Sequence, residues 1–305
     1  MDTAKVAAAA EPSAAQGRLL IILAALLWST SGAFTKVLTK DTPLALHTPS
    51  LAPLQIAFYR ALFAGLALVL FLRRGDVTFR PLMVPMAAIF AVMNASFVAA
   101  MALGTAANAI FLQYTAPVWM YLAGVWWLGE RREPRTRAAI LVSLVGIGVI
   151  VAGGWQEDQL SIVALGLGSG MTYAGVVLCL RVLRGASSLW LTALNHLVSA
   201  AVLVPVVWGL PLPGAGQFLV LFVYGAVQMS IPYALMARGL RTVSPAEAGT
   251  ITLLEPVLNP CWAYLVSGEE PSPFTLVGGA VILGALAYRY WPAAAARSRS
   301  PGPIA

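Results

Sequence analysis

The chain has 305 residues, of which 59% are hydrophobic and only 10% charged, whereas about a quarter of residues in a soluble domain are charged. That balance excludes a soluble globular protein. The net charge of +7 and the two cysteines have to be explained by a chain built for lipid, and Cys179 and Cys261 lie inside apolar runs with no pattern of a disulfide or metal site.

Taken in chain order, residues 1–17 are rich in Ala and read as a disordered tail. Apolar runs follow at 19–38, 51–72, 82–103, 108–128, 138–153, 160–180, 187–208, 217–237, 246–266 and 274–291, and residues 292–305 form a second tail. About 20 apolar residues in a helix span a ~30 Å hydrocarbon core. None of the runs alternates in polarity as a membrane β-strand does, so the expected fold class is an all-α membrane protein with ten transmembrane helices. The first run is too long for a signal peptide and lacks a small-residue cleavage site, so it is expected to stay as a helix.

Charge orients the runs. With the N-terminus in the cytoplasm, all Lys and Arg fall in cytoplasmic segments except Lys36, Lys40 and Arg60, which is the positive-inside pattern of an inner, or plasma, membrane protein with both termini cytoplasmic. The basic balance therefore needs no nucleic-acid partner.

Two short stretches resemble each other: "GERREP" at 129–134 and "GEEPSP" at 268–273. A shift of 139 positions sets Ala107 on Ala246, Ala109 on Ala248, Pro117 on Pro256, Val118 on Val257, Gly129 on Gly268, Glu130 on Glu269 and Pro134 on Pro273. A weaker shift of 145 sets Trp28 on Tyr173, Lys36 on Arg181 and Leu38 on Leu183. This reads as a five-helix unit written twice, 18–154 and 155–291. Five is odd, so the second copy enters the membrane from the other side, and its loop, now external, has lost its arginines.

With these features the chain resembles the EamA-type members of the drug/metabolite transporter superfamily: two inverted fives, the fourth and ninth helices ending in Gly-Glu before a Pro, Glu255-Pro256 in the ninth, and "AIFLQYTAPVW" at 109–119. The resemblance covers residues 18–291. It implies export of amino acids or other small metabolites through a central cavity between the halves, with no cofactor.

In inverted-repeat carriers the site lies at the midplane between the repeats, beside interrupted helices. Pro117 and Pro256 fall at the centres of the fourth and ninth runs, and each frees the carbonyl four residues earlier, at Gln113 and Thr252. Such prolines either mark the site or merely bend the helices. Polar residues at other midplanes are Ser29 beside Trp28, Tyr59 with Arg60, Asn94 with Ser96, Thr172 with Tyr173, Asn195 with His196, and Gln228. Polar groups in hydrocarbon face protein or water, so eight helices are expected to ring a cavity. Helices five and ten, with only Ser143 between them, are expected to face lipid or another protomer of a homodimer.

Among the acidic residues only Glu255 lies at a midplane, with Glu247 at a helix start. Either Arg60 and Glu255 pair with each other, or each receives part of a substrate. His196 is either a packing residue or a proton carrier. The deep aromatic residues Trp28, Tyr59, Tyr114, Trp119, Tyr173, Tyr233 and Trp262 either pack helices or offer faces to a planar or cationic substrate. The expected substrate-binding set is Trp28, Tyr59, Arg60, Asn94, Gln113, Tyr114, Tyr173, His196, Gln228 and Glu255. An amino-acid exporter is expected first, and a proton-coupled exporter of hydrophobic cations second. A receptor or scaffold that does not transport is a further class. No His-Glu-x-x-His or Gly-x-Ser-x-Gly pattern points to an enzyme or a metal site.

Overall fold

A computed structural model describes residues 13–126, 134–156, 159–243 and 245–290. The described chain is helical, with no strand. Its α-helices are α1 (Ala14–Ser29), α2 (Ser31–Thr39), α3 (Pro53–Val69), α4 (Met83–Leu103), α5 (Ala106–Gln113), α6 (Ala116–Trp126), α7 (Pro134–Gln156), α8 (Leu160–Val182), α9 (Ser188–Val207), α10 (Ala215–Val223), α11 (Ser230–Gly239), α12 (Pro245–Thr252), α13 (Leu254–Ser267) and α14 (Pro273–Tyr290). A π-helical turn, Tyr224–Met229, joins α10 to α11.

Six helical stretches are long and apolar enough to cross a membrane: Ala14–Thr39, Met83–Leu103, Pro134–Gly153, Leu160–Val182, Ser188–Val207 and Ala215–Gly239. Pro53–Val69 and Pro273–Arg289 are shorter and apolar. The protein is thus an α-helical, multi-pass membrane protein. Large apolar side chains on its outside, such as Leu70, Leu141, Val145, Leu265 and Val277, are exposed, as lipid-facing residues should be.

Several apolar runs are helical in pieces, and local chemistry accounts for the breaks. At Thr30, between α1 and α2, the hydroxyls of Ser29 and Thr30 bond back to the carbonyls of Leu26 and Leu27 at 2.7 and 2.6 Å, a pattern that bends helices. Pro117 and Pro256 each sit in the first turn of a new helix, α6 and α13, where a missing N–H costs least. The expected bent helices are therefore broken ahead of each proline, at 114–115 and at Leu253.

The helices pack in pairs: α7 on α14, α3 on α9, α4 on α8, and α1 on α11. The α7–α14 crossing is tight. A Cβ on Gly146 would lie 2.6 Å from the carbonyl oxygen of Gly278, and one on Gly278 would lie 2.6 Å from that of Gly146, so glycine lets the two backbones touch. Ser143, one turn before Gly146, is buried. The broken helices lie inside: α13 packs on α1, α2 and α5, and α5 also packs on α8 and α14. The core around them includes Ile56, Met101, Ile110, Leu112 and Tyr224.

Candidate functional site

Two of the helix breaks face each other. Tyr114, at the end of α5, reaches across to the break between α12 and α13, where its hydroxyl lies 3.0 Å from the carbonyl of Thr252 and 2.8 Å from Oε2 of Glu255. Thr252 is four residues before Pro256, which has no N–H to offer it. The freed carbonyl expected from the sequence thus finds its partner on the other half of the chain. Glu255 is half-buried, and its Oε1 makes no hydrogen bond and is not sealed by protein. A carboxyl group with one oxygen held and one open is a ready receptor for a proton or an ammonium group.

The break between α1 and α2 is tied to the same helix α13. Trp262 donates its Nε1–H to Ser29 at 2.9 Å, and Asn259 donates through Nδ2 to Ser31 at 2.7 Å. Gln228, in the π-helical turn, donates to the carbonyl of Trp28 at 2.9 Å, while its Oε1 is buried without a partner.

Arg60 on α3 is 2% exposed. It donates from Nη1 to the hydroxyl of Tyr224 at 3.0 Å and from Nη2 to Oδ1 of Asn94 at 2.5 Å, and its guanidinium lies 5.2 and 5.7 Å from the ring centroids of Tyr224 and Phe97. Asn94 is held in turn through Nδ2, which donates to the carbonyl of Ala57 and to Ser199. Among the described residues no carboxylate reaches Arg60, and its Nε is buried without a partner. Dipoles and ring faces alone compensate this buried charge. The expected alternative in which Arg60 and Glu255 form an ion pair does not occur.

Between these groups stand aromatic rings. Tyr233 meets Trp28 edge-on at 5.2 Å and His196 at 6.1 Å, and it interacts electrostatically with both Arg60 and Glu255. His196 is fully buried, packs against Phe90 at 4.8 Å and bonds through neither ring nitrogen. The structure therefore brings Trp28, Arg60, Asn94, Tyr114, His196, Gln228 and Glu255 into one polar centre. Two others lie apart: Tyr59 packs among Phe58, Phe63 and Phe218, and Tyr173 is 41% exposed on α8. Gln113 ends α5 beside Tyr114 and is half-buried.

Sequence reasoning missed three partners of this centre, Tyr224, Thr35 and Ser199. Tyr224 shares its hydroxyl with Thr35 of α2 at 3.1 Å. A second missed feature is the pair Lys36–Glu269. Lys36 is fully buried and lies 2.5 Å from Oε2 of Glu269, while its Nζ also donates to the carbonyl of Gly104 at 2.6 Å. The other oxygen of Glu269 accepts the backbone N–H of Ala106, in the first turn of α5, at 2.6 Å, where free N–H groups favour an anion. A cavity of about 320 Å³ opens beside the pair, lined among others by Lys40, Thr105, Gln159 and Ser267. Glu130 in "GERREP" lies outside the described residues. No cluster of His, Cys, Asp or Glu fit to hold a metal occurs among the described residues.

A family model described as the EamA-like transporter family matches residues 15–152 and 160–290. An uncharacterized transporter of Archaeoglobus fulgidus is 28% identical over 268 residues, covering 88% of this chain and 93% of the relative. The pseudopaline exporter CntI of Pseudomonas aeruginosa is 25% identical over 274 residues, covering 88% and 93%. A solved crystal structure shares the fold with a TM-score of 0.60 at 16% identity, covering 91% of this chain and 98% of the other.

Proposed function

Because the chain belongs to the EamA-like transporter family, we propose that this membrane transporter exports amino acids or related small zwitterionic metabolites by alternating access. The observation that carries this reading is the polar centre with two separate, incompletely satisfied charges. Arg60 is buried with no carboxylate partner among the described residues, and Glu255 keeps one oxygen open. A substrate carboxylate would complete the first through Nε and the unused Nη hydrogens. A substrate ammonium would complete the second, beside the rings of Trp28 and Tyr233.

The proposed frame is ten crossings in two inverted halves, 18–154 and 155–291, in a bacterial inner-membrane type of bilayer with both termini cytoplasmic. Packing supports it, since contacts recur when the halves are exchanged. The pair α1–α11 corresponds to α8–α4, and α1 on α12 and α13 corresponds to α8 on α5 and α6, while α3–α9 and α7–α14 map onto themselves. The two stretches matched by the family model fall close to the same halves.

Efflux of radiolabelled amino acids from vesicles holding the purified protein tests the reading. Arg60→Gln and Glu255→Gln should each abolish flux while leaving folded protein. A stable Arg60→Gln protein that exports at the parental rate would refute the carboxylate site. A second reading, export of hydrophobic cations with Arg60 purely structural, draws on the Trp28–Tyr233 ring pair. It requires cation flux that survives Arg60→Gln and fails in Glu255→Gln. Ligand-induced stabilisation without any flux would mark a receptor.

A further inference from the structure

The hydroxyl of Tyr114 has one hydrogen and faces two acceptors, the Thr252 carbonyl at 3.0 Å and Glu255 Oε2 at 2.8 Å. With Glu255 as a carboxylate the two compete, and one oxygen is left without its bond where unpaired polar groups are costly. With Glu255 protonated there is no conflict. The acid O–H donates to the Tyr114 oxygen, and the Tyr114 hydrogen is free for the carbonyl that Pro256 cannot serve. That carbonyl belongs to the last residue of α12, directly before the break at Leu253.

We infer that Tyr114 is a positioning residue that reports the charge of Glu255 to the α12/α13 break, and that the loaded species at Glu255 in the present geometry is a proton. The bonded chain Glu255–Tyr114–Thr252 holds the break. When the proton leaves to water and a substrate ammonium takes its place at the carboxylate, the Tyr114 hydrogen turns to Glu255. Thr252 is released and the break is free to move. Proton and substrate then exchange at one carboxyl group. This rests on the transport reading above and adds the coupling ion and the element it acts on.

Among the described residues the other ionisable groups near Glu255 are few. Tyr233 of α11 interacts with it electrostatically, and Arg60 of α3 is bound to Asn94 and Tyr224. Of the helices packed against α12 and α13, α2 brings Lys36, held by Glu269, and α1 brings Arg18, held by Glu247 of α12 at 2.6 Å. Arg289 of α14 belongs to that helix's last turn, and α5 brings no acid or base.

The test uses the full chain in lipid vesicles, with Cys179 and Cys261 replaced by serine, Leu254→Cys as the reporter beside the break, and an impermeant thiol reagent as probe. Rates are normalised at each pH to Glu270→Cys, an exposed position, which removes the reagent's own pH dependence. Labelling at 254 should rise about tenfold from acid to alkaline buffer, a shift of ~1.4 kcal/mol. Tyr114→Phe should make it fast at every pH. Glu255→Gln, whose amide can donate as the protonated acid does, should make it slow at every pH. In infrared difference spectra the protonated-carboxyl band should vanish in Glu255→Gln and shift in Tyr114→Phe. Should Tyr114→Phe not fold, the Glu255→Gln labelling decides alone. Parental pH dependence surviving in either folded variant, or no pH dependence in the parent, overturns the relay. No substrate is needed, so failure here leaves the transport reading standing, and failed amino-acid flux with intact labelling removes the substrate class only.

Discussion

Lys36 and Glu269 meet at 2.5 Å with the ammonium fully buried, and through them α2, the α4–α5 junction and the loop after α13 are joined at one end of the bundle. Removing one partner of a buried pair strands the other. Glu269→Gln should therefore destabilise the protein by about 3–5 kcal/mol, and thermal unfolding should show it. The double variant Lys36→Met/Glu269→Gln should recover much of that loss. Additive losses would show that the two charges are not coupled in the folded state.

The Arg60 centre predicts a second set of losses. Tyr224→Phe removes the hydroxyl that accepts from Arg60 and meets Thr35, so it should cost about 1–3 kcal/mol. Asn94→Ala should cost at least as much, because Arg60, Ala57 and Ser199 all lose a partner. Denaturant titration of both variants checks the order.

Glycine contacts give a contrast inside one helix pair. Gly146→Leu would drive a side chain into the Gly278 carbonyl and Ile282, whereas a Cβ on Gly284 meets nothing within 4 Å. Gly146→Leu should separate α7 from α14 and lower thermal stability by several degrees. Gly284→Leu should leave both stability and flux near parental values.

Topology yields the fourth prediction. In a cysteine-free background on intact cells, Glu270→Cys should label with an impermeant thiol reagent and Arg184→Cys should not. Equal external labelling would rule out inverted halves.

The membrane class, the positions of Pro117 and Pro256, and the central depth of Arg60 and Asn94 were legible because depth along an apolar run can be counted, whereas the partner of Arg60 was not: the sequence offered Glu255, and the structure has Asn94. Rotation about the helix axis could not be counted in the same way, since nearly every residue of such a run is apolar. Tyr59 lies next to Arg60 in sequence and yet points into a cluster of phenylalanines, and Tyr173 is exposed on α8. Lys36 reads as an end-of-helix charge that snorkels to water, because its partner Glu269 is remote in sequence and sits in a turn. The π-helical turn has no periodic signature, so Tyr224 escaped notice.

That turn also acts as a phase shifter. One extra residue in a helix advances everything after it by about 100°, and the wide turn at Tyr224–Met229 comes directly before α11. Its Gly225 backs against the carbonyl of Arg60 and Phe63, and Ser230 bonds to Ala64, so the offset is clamped to α3. Downstream, the offset sets where Tyr233 meets Trp28 and His196, and where Gly239 meets Ile21. Deleting a single residue from the turn would yield a more regular helix whose far half faces the wrong way, so an irregularity six residues long sets the angular alignment of α11 with α1 and α9.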